Sequence, residues 1–278
     1  MTAAVIDIGS NSVLLLASDG DSALLTTRLG AGLRAGGCLD DQAKERTRSA
    51  VIALATRSRD RKVRSIAAFG TGALRRATDG GAFARTLADA AAIPVHILSG
   101  DDEAVWAYRA ARIGTGPSAV IDVGGGTTEI TLGSGDVIVE AVSVPLGALA
   151  LTEAGETPRT TIDAVLQPLR VIKRLRAEQV PLIASGGTAT ALAALDLNLP
   201  HYDPARVHGH RLTRAAIERL AAQVRATPPA TLDPGRADIL PAGALILSAV
   251  MDAAATAAVT VSDCGVRHAY LEHWLRMQ

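Results

Sequence analysis

The chain has 278 residues, 48% of them hydrophobic and 20% charged, and its 28 basic and 28 acidic side chains cancel. That composition is globular and supplies core material for one large or two modest domains. Zero formal charge excludes a bulk electrostatic pull toward nucleic acid or membrane, and 3% aromatic content leaves little from which to build a base-stacking surface. The two cysteines, Cys38 and Cys264, lie far apart without metal-ligand spacing, as expected of a reduced, cytoplasmic protein. Asp7 interrupts the only apolar run near the N-terminus, so no signal peptide is read there. The apolar run Ile239–Val261 contains Pro241, Gly243, Ser248 and Asp252, which favour a buried helix followed by a strand over a membrane span.

In chain order, Ala4–Asp7 reads as a strand, Gly9-Ser10-Asn11-Ser12 as a polar turn and Val13–Ala17 as a second strand. Ser22–Leu29 is a third strand and Gly30–Gly37 a loop. Asp40–Arg57 has helical spacing. Val63–Phe69 is a strand, followed by a Gly70-Thr71-Gly72 turn and a segment carrying Arg75 and Arg76. Gly81–Ala92 is a helix and Pro94–Leu98 a strand. The strand ends in Ser99-Gly100-Asp101-Asp102-Glu103, and Ala104–Ile113 then runs as a helix, with Glu103 at or near its start. Gly114-Thr115-Gly116-Pro117 is the best linker candidate.

Ala119–Ile130 reads Ala-Val-Ile-Asp-Val-Gly-Gly-Gly-Thr-Thr-Glu-Ile. Three glycines permit positive φ and close approach of backbone N–H groups to an anion. Asp122 and Glu129 flank the turn and could hold a divalent cation. Ala4–Asp21 aligns without a gap on Ala119–Asp136, with identities at Ala4, Val5, Ile6, Asp7, Gly9, Gly20 and Asp21. A repeat of about 115 residues predicts two similar α/β halves whose hairpin turns line a common cleft. Asp136–Val144 is a further strand, and Thr160–Ala177 has one apolar face and reads as a single helix. Its Lys173, Arg174 and Arg176 read as a solvated helix end. Pro181–Ala184, Ser185-Gly186-Gly187-Thr188 and Ala189–Leu195 form strand, turn and helix, a phosphate-compatible arrangement at a helix N-terminus. Leu197–His210 is a loop with His201, His208 and His210, read as solvated rather than as a metal cluster. Thr213–Ala226 and Ile239–Ala255 are helices, Thr256–Val261 a strand and Val266–Leu275 a final helix.

Seven short motifs follow in one order: Asp7-Ile-Gly-Ser-Asn-Ser, Thr71-x-Ala-Leu-Arg-x-Ala, Ser99-Gly-x-x-Glu-Ala, Asp122-Val-Gly-Gly-Gly-Thr-Thr-Glu, Ser185-Gly-Gly-Thr, Arg236-Ala-Asp-Ile-Leu-Pro-Ala-Gly and Ser262-Asp-x-Gly-Val-Arg. From residue 4 to about residue 275 the chain resembles the exopolyphosphatase/guanosine pentaphosphate phosphatase family of the actin-like ATPase superfamily. The resemblance implies two ribonuclease H-like α/β domains with a cleft between them, drawn at 1–114 and 115–278. The final helix, about 266–278, is a candidate to pack back on the first domain. Cys264 and His268 depart from the family's C-terminal motif, and Cys264 takes a turn position often filled by glycine. The additional helical C-terminal domain of many larger members has no counterpart in these 278 residues.

Carried over to matching positions, the resemblance makes Glu103 the residue that activates the attacking water and Arg75 a phosphate contact. The carboxylates Asp101 and Asp102 would raise the Glu103 pKa, whereas a helix N-terminus would lower it. Arg76 reads as a solvated neighbour. Asp122, Glu129 and Asp7 are the metal candidates, for Mg²⁺ or Mn²⁺. Gly9, Ser10, Asn11, Ser12, Gly124, Gly125, Gly126, Thr127, Gly186, Gly187 and Thr188 are the phosphate-binding candidates. The implied reaction is Mg-assisted hydrolysis of the terminal phosphoanhydride of inorganic polyphosphate. Alternatives are a guanosine pentaphosphate or nucleoside triphosphate phosphatase, an actin-like kinase and a non-catalytic polyphosphate or alarmone sensor. A homodimer is expected, with no nucleic-acid or membrane partner.

Overall fold

The computed structural model describes residues 2–34, 36–155, 158–230 and 232–278. The chain divides into two compact units. The first takes the chain through Glu103 and regains it at Val266–Gln278; the second is Ala104–Gly265.

In the first unit, β1 (Ala3–Ile8), β2 (Ser12–Ala17) and β3 (Ser22–Thr26) form an antiparallel meander. Helix α1 (Asp41–Asp60) starts at Asp40, whose carboxylate accepts from the Ala43 N–H at 2.8 Å. Strand β4 (Ser65–Gly70) pairs parallel with β1, followed by α2 (Gly72–Arg76), α3 (Gly80–Ala91) and β5 (Val95–Ile97), which pairs parallel with β4. Helix α4 (Gly100–Ala111) begins in the first unit and ends in the second.

The second unit repeats the plan. Strands β6 (Pro117–Val123), β7 (Thr128–Ser134) and β8 (Val137–Val144) are an antiparallel meander. Helices α5 (Ala148–Ala154), α6 (Arg159–Leu166) and α7 (Arg170–Glu178) precede β9 (Leu182–Ser185), which is parallel to β6. Helices α8 (Gly186–Asp196) and α9 (Pro204–Val207), strand β10 (Arg211–Thr213) and helices α10 (Arg214–Ala226), α11 (Pro234–Ala237) and α12 (Leu240–Ala253) lead to β11 (Ala258–Val261), parallel to β9. Helix α13 (Val266–Arg276) closes the sequence. The first sheet runs β3-β2-β1-β4-β5; the second runs β8-β7-β6-β9-β11 in the same sense, with β10 added beyond β11. The two α/β halves expected from the repeat, and the ribonuclease H-like order implied by the resemblance, are therefore present.

The period-two pattern of strands sorts the residues by face. Ala4, Ile6 and Ile8 join a core with α1 and α3 residues, whereas Ala3, Val5 and Asp7 point the other way. On that second face Tyr270 of α13 packs on Phe69 of β4, with ring centroids 4.5 Å apart. The Tyr270 hydroxyl bonds His96 Nδ1, and Trp274 Nε1 donates to Ser65 Oγ at 2.8 Å. Burial raises the Tyr270 pKa to about 12, so its hydroxyl stays protonated across the physiological range. In the second unit the face opposite the main core packs Tyr108 and Ala111 of α4 against Val120 and Ile183. Gly133 leaves room for this, because a Cβ there would lie 2.6 Å from Tyr108 Cζ.

Two local expectations change. The helix read over Thr160–Ala177 is broken into α6 and α7 at Gln167-Pro168-Leu169. Proline has no N–H to continue the ladder and clashes with the preceding turn. Cys264 is not among the residues with positive φ, so its turn does not need glycine at that position. Ile239–Val261 divides into α12 and β11 as expected, and no helix among the described residues is long and apolar enough to cross a membrane.

Candidate active site

In each unit the chemistry-bearing turns follow the carboxyl ends of the parallel strands, where open α/β sheets bind ligands. In the first unit these are the turns after β1, β4 and β5. The Gly9 N–H donates to Ser12 O at 3.0 Å, closing the first hairpin turn. Thr27 and Arg28 N–H donate to Asn11 O, and Gly30 N–H to Ser10 O at 2.8 Å. Ser10, Asn11 and Ser12 are buried, and Asn11 Nδ2 donates to Ser12 Oγ at 3.2 Å. Asp7 is half-buried and is the register partner of Leu14 on one side and Phe69 on the other.

Beside this turn, α2 presents Arg75. Glycines at 70 and 80 make the seating possible: a Cβ at Gly70 would lie 2.1 Å from Leu74 Cδ1, and one at Gly80 1.9 Å from Leu74 O. Ser99 caps α4 reciprocally with Asp102: the Asp102 N–H donates to Ser99 Oγ at 3.1 Å, and Ser99 Oγ donates to Asp102 Oδ2 at 2.7 Å. This N-cap satisfies an open N–H in the first turn of α4, the turn that carries Glu103. Arg75 Nη1 donates to Glu103 Oε2 at 2.7 Å and to Leu98 O at 3.0 Å. Glu103 is 9% exposed, and among the described residues its Oε1 has no hydrogen-bond partner. The two residues read as catalytic are thus in direct contact. Arg76, read as a solvated neighbour, is instead half-buried with Nη1 enclosed.

In the second unit, Gly124 N–H donates to Thr127 O at 2.9 Å, the same bond as in the first hairpin. The turn's carbonyls are tied to α5: Ala148 N–H donates to Gly124 O, and Leu149 and Ala150 N–H donate to Gly125 O. Gly147 permits this contact, since a Cβ there would lie 2.4 Å from Gly125 O and from Gly126 Cα. Gly124, Gly125 and Gly126 do not use positive φ; the left-handed backbone falls at Gly186, with φ 78°.

Register places Ser185, Asp122, Glu129 and Ser143 in one row across β9, β6, β7 and β8. Directly opposed residues of paired strands share a face. Glu129 is 5% exposed, and its Oε1 accepts from Ser143 Oγ at 2.7 Å. Asp122 Oδ1 lies 2.2 Å from where a Cβ on Gly186 would stand. A Cβ on Gly187 would lie 1.6 Å from Arg236 Nη1, so a guanidinium rests directly on the turn. Thr188 Oγ1 donates to Val123 O at 3.3 Å and abuts Gly243. Ser185 Oγ is buried without a hydrogen-bond partner among the described residues. The row and turn therefore assemble two carboxylates, one guanidinium, the hydroxyls of Ser143, Ser185 and Thr188, and the N-terminus of α8.

Arg236 and Ser143 were not among the candidate site residues. Arg236 had a signal, because it opens the motif that ends at Gly243, and both ends of that motif face the Gly187-Thr188 turn. Ser143 had none, since a serine in an alternating strand carries no spacing information.

Asp122 and Glu129 fit a hard divalent cation: Mg²⁺ is commonly held by one or two carboxylates together with substrate phosphate. Among the described residues no group of three or more His, Cys, Asp or Glu side chains could hold a metal. His201 and His208 are exposed, as the solvated reading has them, whereas His210 is half-buried, with Nε2 3.0 Å from Asp196 Oδ2 and Arg219 on the other oxygen of that carboxylate.

Residues 20–278 match the Ppx/GppA phosphatase family. The chain belongs to that family. Exopolyphosphatase 2 of Mycobacterium tuberculosis is 32% identical, and the alignment covers 88% of each chain. Among solved structures, a Ppx/GppA family member from Aquifex aeolicus is 27% identical, with a TM-score of 0.74 over 100% of this chain and 99% of its own. An exopolyphosphatase from Cytophaga hutchinsonii superposes with a TM-score of 0.87 at 21% identity, covering 100% and 98% of the two chains, and shares the fold. This is a family of phosphatases, and phosphorylated compounds are its substrate class.

Proposed function

We propose that this Ppx/GppA family member is an exopolyphosphatase, releasing the terminal phosphate of inorganic polyphosphate by attack of water. The observation that carries the reading is the 2.7 Å contact between Arg75 Nη1 and Glu103 Oε2. Arg75 holds one oxygen of a buried carboxylate, and the other can accept a proton. Water oxygen attacks the terminal phosphorus as Glu103 takes one of its protons. The bond from phosphorus to the bridging oxygen breaks, and that oxygen leaves on the shortened chain. The Arg75 guanidinium and the turn N–H groups stabilise the equatorial oxygens. Asp122 and Glu129 would hold Mg²⁺, which when bound neutralises charge on the phosphate oxygens.

The test is phosphate release from short polyphosphate, long polyphosphate, guanosine pentaphosphate and ATP, side by side, with and without Mg²⁺. Turnover of polyphosphate above the two nucleotides, lost without Mg²⁺, is the expected result. Preferential turnover of guanosine pentaphosphate, or tight polyphosphate binding without release, overturns it.

A further inference from the structure

We propose that Ser143 is a positioning residue that orients Glu129 for a divalent cation. The inference rests on the hydrolytic reading above. Ser143 lies on β8 directly opposite Glu129, and its hydroxyl donates to Glu129 Oε1 at 2.7 Å. Among the described residues this is the only side-chain hydrogen bond Ser143 makes.

On its other flank Glu129 is the register partner of Asp122. Like charges directly opposed on neighbouring strands repel, and the repulsion favours rotamers that carry the glutamate away. A charge-assisted hydrogen bond from the β8 side anchors Oε1 and opposes that rotation. A buried carboxylate that must keep one geometry without a bound cation needs such a partner, and outer partners of metal-ligating carboxylates act in this way.

The internal repeat supplies the comparison. In the first unit, Leu14 holds the position of Glu129 opposite Asp7, and the β3 residue opposite Leu14 is Leu24. The carboxylate and its hydroxyl partner are present together in one sheet and absent together in the other.

The experiment uses the whole protein and the variants Ser143→Ala and Ser143→Thr. Mn²⁺ binding is followed by the loss of the free-ion electron paramagnetic resonance signal. Phosphate release is measured as a function of Mg²⁺. Ser143→Ala should weaken Mn²⁺ binding and raise the Mg²⁺ half-saturation by about tenfold. At saturating Mg²⁺ the KM for polyphosphate should be unchanged, and thermal unfolding should shift down only modestly, as one hydrogen bond to a buried carboxylate is lost. Ser143→Thr keeps the hydroxyl and should restore binding. Unchanged Mn²⁺ binding in Ser143→Ala, or failure of threonine to restore it, overturns the inference. Parent protein that hydrolyses polyphosphate but binds no Mn²⁺ also overturns it and leaves hydrolysis standing. Parent protein that binds Mn²⁺ without releasing phosphate overturns the hydrolytic reading, and the variants still decide the role of Ser143.

Discussion

The Asp122 carboxylate occupies the space that a side chain on Gly186 would need: Asp122 Oδ1 stands 2.2 Å from the site of a Cβ there. Gly186 also has φ 78°. Gly186→Ala therefore meets two costs, a left-handed backbone worth about 1–2 kcal/mol and a displaced carboxylate. The variant should unfold at lower temperature and lose phosphate release. Parent-like activity would mean that Asp122 is not used where it stands.

Glu103→Gln keeps the size and burial of the side chain but cannot take a proton. It should fold with a thermal transition close to the parent's and lose about 10²–10⁴-fold in kcat. Retained turnover would remove Glu103 from the mechanism.

Arg75→Lys separates charge from geometry. A guanidinium reaches both Leu98 O and Glu103 Oε2 from one nitrogen and has further N–H groups for phosphate; an ammonium is a point charge. Arg75→Lys should lose roughly tenfold or more in kcat/KM, and Arg75→Ala should lose more and also destabilise the fold by about 1–3 kcal/mol through the unpaired buried carboxylate. Equal activity of the lysine variant and the parent would reduce Arg75 to a charge partner.

Asp21 gives a pH prediction. Hydrogen bonding from Arg57 lowers its pKa, with the charges of Arg57 and Arg61 adding to the effect against desolvation. The distances are 2.6 Å to Arg57 Nη2 and 3.5 Å to Arg61 Nε. A pKa depressed in the folded state contributes stability above the unfolded value near 4, and that contribution is lost as pH falls through the folded value. Arg57 is half exposed, so the contribution is about 1 kcal/mol or less. Asp21→Asn should be less stable than the parent at pH 7, and the gap should close below about pH 4. A gap that persists in acid would assign the loss to packing.

What the sequence revealed depended on where the information is local. The two hairpins repeat Ala-Val-Ile-Asp-x-Gly, so both meanders were legible, as was the pairing of strand ends with glycine turns. Helix α5 was not legible, because Ala148–Ala154 lacks an amphipathic stripe and its first N–H groups are satisfied by carbonyls of Gly124 and Gly125. Strand β10 has three residues and exists through its pairing with β11. Asp102 read as a charge beside Glu103; that its carboxylate also accepts from the Ser99 hydroxyl at the start of α4 was not legible. Arg236 reached the site only because α11 lays it on Gly187, a contact between residues 49 apart in the numbering. The long-range contacts set the chemistry, and a linear reading holds no distances.

Helix α13 packs its aromatic residues on a sheet whose strands all precede Glu103. On the ribosome the first sheet emerges early, but the helix that covers Phe69 is made only after Ala104–Gly265 has been synthesised. One face of the earliest-made unit thus stays exposed throughout the translation of the second. Assembly of the first unit cannot finish before the second has been made, and nascent chains stalled short of Val266 should be the aggregation-prone and chaperone-dependent species.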